Sequence, residues 1–184
     1  MLSSGWAEGL FADMNPLRTD CAMIRKLILR VAVVSFPAGL LFAPSGCSKK
    51  PDTLTDQYDE AEMDAAIQKA RETFGQFKQR LAHPKPGDSG FAVKVKISDG
   101  NDTEHFWLID IKVNGDSFSG VINNEPGTVK KVKLGQTYKF TFDDVSDWLY
   151  MSNGVMQGNH TLRVMLKSMP PEKAEAMKKK FGWQ

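Results

Sequence analysis

The chain has 184 residues, a formal net charge of +2 and two cysteines, Cys21 and Cys47. The near balance of charge gives no general reason to expect nucleic acid or an acidic polymer as partner. The absence of any CxxC pair argues against thiol redox chemistry and cysteine-ligated zinc.

The first readable element is a targeting segment. Arg25, Lys26 and Arg30 lead into the uncharged apolar run Val31 to Phe42, and small residues close it in Ala43-Pro44-Ser45-Gly46-Cys47. A membrane span needs roughly 20 apolar residues. This run is shorter, and Pro37 and Gly39 within it weaken a helix. It therefore fits the h-region of a secretion signal. Gly46 and Ser45 before the cysteine resemble a bacterial lipoprotein signal, in which a lipid joins Cys47 and the preceding residues are removed. Pro44 departs from that pattern, where leucine is the usual residue. Ser48, in place of Asp, resembles the outer-membrane sorting pattern. The expectation is an exported protein held by lipid on Cys47 at the periplasmic side of the outer membrane, the alternative being a soluble periplasmic protein. Met1 to Ala22 carries Glu8, Asp13 and Asp20, acids that are unusual before an h-region, whereas Met23 opens an ordinary signal. Translation is expected to start at Met23.

The chain thus divides into 1–46, an extension and signal; 47–58, a flexible tether containing Pro51; and 59–184, a single domain. Without its first 46 residues the protein loses four of 24 basic and three of 22 acidic residues, leaving 20 against 19. The exported part has no free thiol once Cys47 is lipidated. Its length supports one domain with a real core.

Met63, Ile67, Ala70, Phe74, Phe77 and Leu81 recur at helical spacing and predict an amphipathic helix that Pro84 and Pro86 end. Asp59, Glu60, Glu62 and Asp64 suit its N-terminal dipole. Phe91, Val93, Val95 and Ile97 alternate with Ala92, Lys94, Lys96 and Ser98 in a half-buried strand. Asp99-Gly100-Asn101-Asp102 is a turn, and His105 to Val113 a second strand with Trp107, Ile109, Ile111 and Val113 on one face. Asn114-Gly115 signals another hairpin, leading to Phe118 to Ile122. A loop with Pro126 and Gly127 precedes a strand from Thr137 to Phe142. Trp148 to Met151 and Val155 to Gln157 flank Asn153-Gly154. His160 to Lys167 reads as a further strand, with a short helix as the alternative. Pro170 and Pro171 open a last helix with Ala174, Met177 and Phe181 on its apolar side. Its end, Lys178-Lys179-Lys180-Phe181-Gly182-Trp183, reads as a solvated face with packed aromatics, with contact to a membrane surface as the alternative. The expected fold is α+β: an N-terminal amphipathic helix on a curved antiparallel sheet of about five to six strands, plus a C-terminal helix, the helices covering the apolar face of the sheet.

Motifs that carry chemistry are sparse. His83, His105 and His160 fall in three separate elements, so a histidine zinc site is weakly supported. Asp99 to Asp102 and Asp143-Asp144-x-x-Asp147 lack the spacing of a calcium loop and read as turn and capping chemistry. No phosphate-binding glycine loop or nucleophile elbow is present, and no cofactor is expected. The polar residues of interest are Glu125, Asp147 and Arg163. They are expected to form an ion pair of Asp147 or Glu125 with Arg163, with ligand binding or catalysis as the other roles open to them.

Six ordered motifs then resemble one bacterial family. They are Met63-x-x-Ala66-Ile67-x-x-Ala70-Arg71, Glu104-His105-Phe106-Trp107-Leu108, Asn124-Glu125-Pro126, Gly135-Gln136-x-Tyr138, Ser146-Asp147-Trp148-Leu149-Tyr150 and Gly158-x-x-Thr161-Leu162-Arg163. The family is domain of unknown function 2314, YegJ-like, and the likeness covers about 59–166. It implies a small α+β domain, often in exported contexts, with no established activity and no catalytic residues to carry over. Its recurring positions match Trp107, Asn124, Glu125, Asp147, Trp148, Tyr150, Thr161 and Arg163. With Pro126 these are the candidate binding or structural residues.

The sequence favours a cell-envelope lipoprotein with a non-catalytic binding or scaffold domain. Its partners would be the membrane, through lipid on Cys47, and an envelope protein or ligand. The expected surface is the Asn124-Glu125-Pro126 loop and an Asp147-Trp148 turn, since loops on a rigid sheet carry function. Two other readings stay open: an envelope hydrolase using Asp147 or Glu125 with His105, and an immunity-like protein that neutralises a toxin.

Overall fold

The computed structural model describes residues 58–183. The expected signal, Cys47 and the expected tether up to residue 57 lie outside the described residues.

Helix α1 spans Glu60–Ala82. Asp59 starts it by accepting a hydrogen bond from the Glu62 amide at 2.8 Å, which satisfies one of the free N–H groups of the first turn. Ala66, Ala70, Phe74 and Phe77 are buried along one side. Burying each phenylalanine stabilises the fold by roughly 2 kcal/mol.

Six strands follow: β1 Asp88–Asp99, β2 Asp102–Asn114, β3 Ser117–Ile122, β4 Thr137–Thr141, β5 Val145–Ser152 and β6 Val155–Gly158. They form one sheet in the order β4-β3-β2-β1-β5-β6. All neighbours are antiparallel. Helices α2, His160–Met165, and α3, Pro171–Lys180, close the chain. The fold is α+β, as the sequence implies.

Both faces of the sheet are covered, which differs from the single apolar face expected. On one face α1 packs Phe74 and Phe77 against Val93, Val95, Phe106, Leu108, Trp148 and Tyr150. On the other, α2 and α3 bring Leu162, Leu166, Ala174 and Phe181 against Ala92, Trp107, Leu149 and Met156. Ala92 and Leu149 stand on what alternation makes the outer face, yet both are fully buried.

Two further expectations are corrected. His160 to Lys167 is not a strand but α2 followed by a short 3-10 turn, Leu166–Ser168. Thr161, Leu162 and Val164 are buried there at helical spacing. In β2, Trp107, Ile109, Ile111 and Val113 do not share a face. Register shifts between Ile109 and Lys112, where Asp110 takes a positive φ of 53°. This bulge turns Ile111 to the α1 side and leaves Val113 exposed, as an extra residue in one strand must do.

The β6 edge is closed by the chain's own end. The Met156 amide donates to the Phe181 carbonyl at 2.9 Å, and Trp183 Nε1 donates to the Met156 carbonyl at 2.8 Å. Phe181 is buried, and the Trp183 ring lies 3.7 Å from the Arg163 guanidinium. Both aromatics are thus engaged with the domain.

Candidate functional site

Strand β5 is buried without interruption from Val145 to Tyr150, so the carboxylate of Asp147 is carried into the interior with its neighbours. Buried charge is tolerated only when its hydrogen bonds are made. Asp147 Oδ1 accepts from the amides of Trp148 at 2.9 Å and His160 at 3.1 Å. Oδ2 accepts from the Thr161 amide at 2.8 Å and the Thr161 hydroxyl at 2.7 Å. A strand residue therefore holds the start of α2. The approach depends on Gly158 and Asn159, with φ of 73° and 51°. A Cβ on Gly158 would lie 2.2 Å from the Trp148 carbonyl oxygen, so glycine alone fits.

Lys94 pairs with Asp147 across β1 and β5. Its Nζ donates to Thr161 Oγ1 at 3.0 Å and sits 5.4 Å from the centre of the Trp107 ring. The Thr161 hydroxyl thus accepts from Lys94 and donates to Asp147. Desolvation lowers the Lys94 pKa, and the Asp147 charge opposes that shift.

His105 reaches across β1 to β5. Its Nδ1 lies 2.9 Å from Ser146 Oγ, and Ser146 Oγ donates to the Lys94 carbonyl at 3.2 Å. With the serine proton committed there, the network assigns the imidazole proton to Nδ1. Desolvation of the ring, with Lys94 and Lys96 adding positive charge, holds His105 down at a pKa of about 4.

The candidate residues divide among several places. Asp147, Thr161 and Trp107 meet in the Lys94 network. Trp148 and Tyr150 face the other side, under α1. Trp148 Nε1 donates to the Ala70 carbonyl at 2.9 Å, and Tyr150 stacks on Phe91 at 5.1 Å. The expected Asp147-Trp148 turn is therefore strand interior, closed to a partner. Asn124 fastens its loop to the sheet by accepting from the Trp107 amide at 2.8 Å. Glu125 is exposed and Pro126 half-buried beside it. Among the described residues, neither Asp147 nor Glu125 forms the expected ion pair with Arg163. The arginine is engaged with Trp183 instead.

The acids of Asp143-Asp144-x-x-Asp147 act separately. Asp144 accepts from the amide and hydroxyl of Thr141 at 2.8 and 3.0 Å, which is capping chemistry as expected. Asp99 belongs to the first hairpin turn and also accepts from the amides of Lys130 and Lys131 at 2.9 and 3.0 Å.

Sequence reasoning missed Lys94, Ser146 and Glu104. Glu104 accepts from the amides of Gly127, Thr128 and Val129, pinning the loop that follows Pro126. Lys94 was legible only as the polar member of an alternating strand. The available signal was Asp147, an acid inside an apolar run, which calls for a buried partner.

The geometry does not assemble the histidine–carboxylate pair of the hydrolase reading. His105 is bonded to a serine, and that serine is 3% exposed. No group of three or more metal-ligating side chains occurs among the described residues. Nor is any helix there long and apolar enough to cross a membrane.

The sequence profile of a family described as "Uncharacterized protein conserved in bacteria (DUF2314)" matches residues 60–184. The Escherichia coli K12 protein YegJ, described as uncharacterized, is 36% identical over 159 residues, covering 86% of this chain and 99% of that protein. A Neisseria meningitidis serogroup B protein, named provisionally as an ankyrin repeat protein, is 35% identical over 125 residues, 64% of this chain and 49% of that one. No solved structure gives a significant match.

Proposed function

This chain belongs to the bacterial DUF2314 family, and we propose that it is a lipid-anchored, non-catalytic binding or scaffold module of the cell envelope. The observation that carries this reading is the order of segments. A basic start, a short apolar run and Gly46-Cys47 precede a polar stretch, and the folded domain begins at Glu60. Lipid on Cys47 holds the protein at the membrane, residues 48–57 act as the tether, and Ser48 directs it to the outer membrane.

The deployment of polar groups supports a binding rather than a catalytic role. Asp147, Thr161, Ser146, Asn124 and Glu104 each have hydrogen-bond partners inside the fold. The Glu125 side chain has none among the described residues and faces solvent on a loop tied down at both sides. An exposed carboxylate on a fixed loop is suited to recognition. The Neisseria relative adds to this reading. There the matching segment occupies about half of a chain named for ankyrin repeats, a class of repeat that builds extended binding surfaces.

Density-gradient fractionation of envelopes tests the location. The protein is expected in the outer-membrane fraction and the Cys47→Ser variant in the soluble periplasmic fraction. Recovery of both in the same fraction would refute the anchor. Glu125→Ala is expected to weaken capture of the envelope partner while leaving Tm unchanged. Capture unaffected by that change would remove the loop from the binding surface.

A further inference from the structure

Three nitrogen-bearing side chains share the sheet face on which α2 and α3 lie. Lys94 and Lys96 stand two residues apart on β1, and Lys96 pairs with His105 of β2. His105 crosses β1 to reach Ser146 on β5, so its ring passes between the two lysines. Lys96 and His105 are exposed and Lys94 half-buried.

Their hydrogen-bonding capacity is largely unmet. The Lys94 ammonium has three donors and one acceptor among the described residues, Thr161 Oγ1. Lys96 has neither an ion pair nor a side-chain hydrogen bond there. His105 uses only Nδ1, leaving Nε2 without a partner. The acid of this network, Asp147, is already occupied by four donors on its own strand and on α2. The Asp147 charge acts on Lys94, whereas Lys96 has no ion pair among the described residues. Desolvation first, and then the charges of Lys94 and Lys96, lower the His105 pKa.

We propose that Lys94, Lys96 and His105 form a binding site for a phosphate-type oxyanion, borne by a soluble phosphate compound or a phospholipid headgroup. Two ammonium groups and an imidazole on neighbouring positions of two paired strands suit an anion with several acceptor oxygens. Ser146 fixes the ring at Nδ1 and so directs Nε2 to the ligand. Binding raises the proton affinity of Nε2, because the anion's charge favours the imidazolium against desolvation and the two lysine charges that lower it. By linkage, protonation of His105 then strengthens binding. The groups acting on that proton are Lys94 and Lys96 from β1, Ser146 and Asp147 from β5, and Thr161 from α2. The inference supplies a ligand class for the binding module proposed above and rests on that reading only in treating the domain as a binder. Lipid attachment at Cys47 bears on neither result below.

The test uses the exported protein carrying Cys47→Ser, with inorganic phosphate as probe at constant ionic strength near 0.15 M, where surface attraction beyond about 8 Å is screened. Imidazole NMR signals of His105 are followed against phosphate and, separately, against pH. Saturable shifts are expected, with the His105 pKa raised by about one unit, a tenfold change in proton affinity. Lys96→Gln, at an exposed position, is expected to weaken phosphate binding about fivefold or more without altering Tm. That range follows from ordinary coupling strengths. A drift that does not saturate and is matched by chloride would overturn the site, as would saturation that Lys96→Gln leaves unchanged. Phosphatidylglycerol vesicles, with phosphatidylcholine vesicles as control, separate the two sources. Lys96-dependent vesicle binding that phosphate competes away assigns the headgroup. Saturation by phosphate with no vesicle binding assigns a soluble compound.

Discussion

Replacing Asp147 with alanine should be among the most damaging single changes in the domain. The side chain is fully buried and accepts four hydrogen bonds. Its removal strands the amides of His160 and Thr161, and the Thr161 hydroxyl that also receives Lys94. A buried donor left unsatisfied costs about 1–3 kcal/mol. Breaking a buried charge network from one side costs about 3–5 kcal/mol. The Trp148 amide adds less, since its bond is to the adjacent residue. The expected loss is therefore about 3–5 kcal/mol, or roughly 12–20 °C in Tm for a domain of this size. Urea denaturation followed by tryptophan fluorescence measures it. Asp147→Asn keeps the shape and one acceptor oxygen but turns an amide donor toward other donors, so it should fall between alanine and wild type. Lys94→Met removes the cation that most needs solvation and should cost less than Asp147→Ala. A loss below about 1 kcal/mol for Asp147→Ala would refute the view that this carboxylate organises the start of α2.

Three other outcomes follow from single sites. Gly158→Ala should prevent stable folding or cost at least ~3 kcal/mol by denaturation, because its Cβ would meet the Trp148 carbonyl oxygen at 2.2 Å; a near-wild-type Tm would contradict the φ of 73°. Trp183→Ala should cost about 2 kcal/mol, since the ring packs at the β6 edge and Nε1 bonds to Met156; amide exchange at Met156 should rise with it, and unchanged protection would argue against an edge closed by the tail. His105 should remain neutral until about pH 4. Its folded pKa lies below the ordinary value of 6.5, so the unfolded chain binds the proton first. Its contribution to stability is present above about pH 6.5 and is lost as pH falls toward 4. Lys96→Gln should raise the NMR-measured pKa, and titration near 6.5 in the wild type would refute the assignment.

The periodic elements were the most legible part of the fold. Phe74 and Phe77 marked the buried side of α1, and the Gly100, Gly115 and Gly154 turns placed the hairpins. What escaped was tertiary. Nothing local in His160 to Lys167 distinguishes a short helix from a strand; the choice is made by Asp147, thirteen residues before His160 in sequence, accepting from its first amides. Ile111 was misplaced because alternation assumes an unbroken ladder, and the bulge at Asp110 has no side-chain signature. Asp147 and Thr161 stood out in the sequence but Lys94 did not, because it joins them only once α2 folds back over β1. Arg163 was paired by charge with an acid, whereas the chain's end supplied an aromatic ring that no spacing rule connects to it.

We propose that this domain works while tethered by lipid at Cys47. Metabolic labelling with palmitate in cells expressing the chain tests it most directly. Label is expected on the wild-type protein and is expected to be lost completely in Cys47→Ser, with the domain still folded in both. An unlabelled wild-type protein, or label retained in Cys47→Ser, would contradict it.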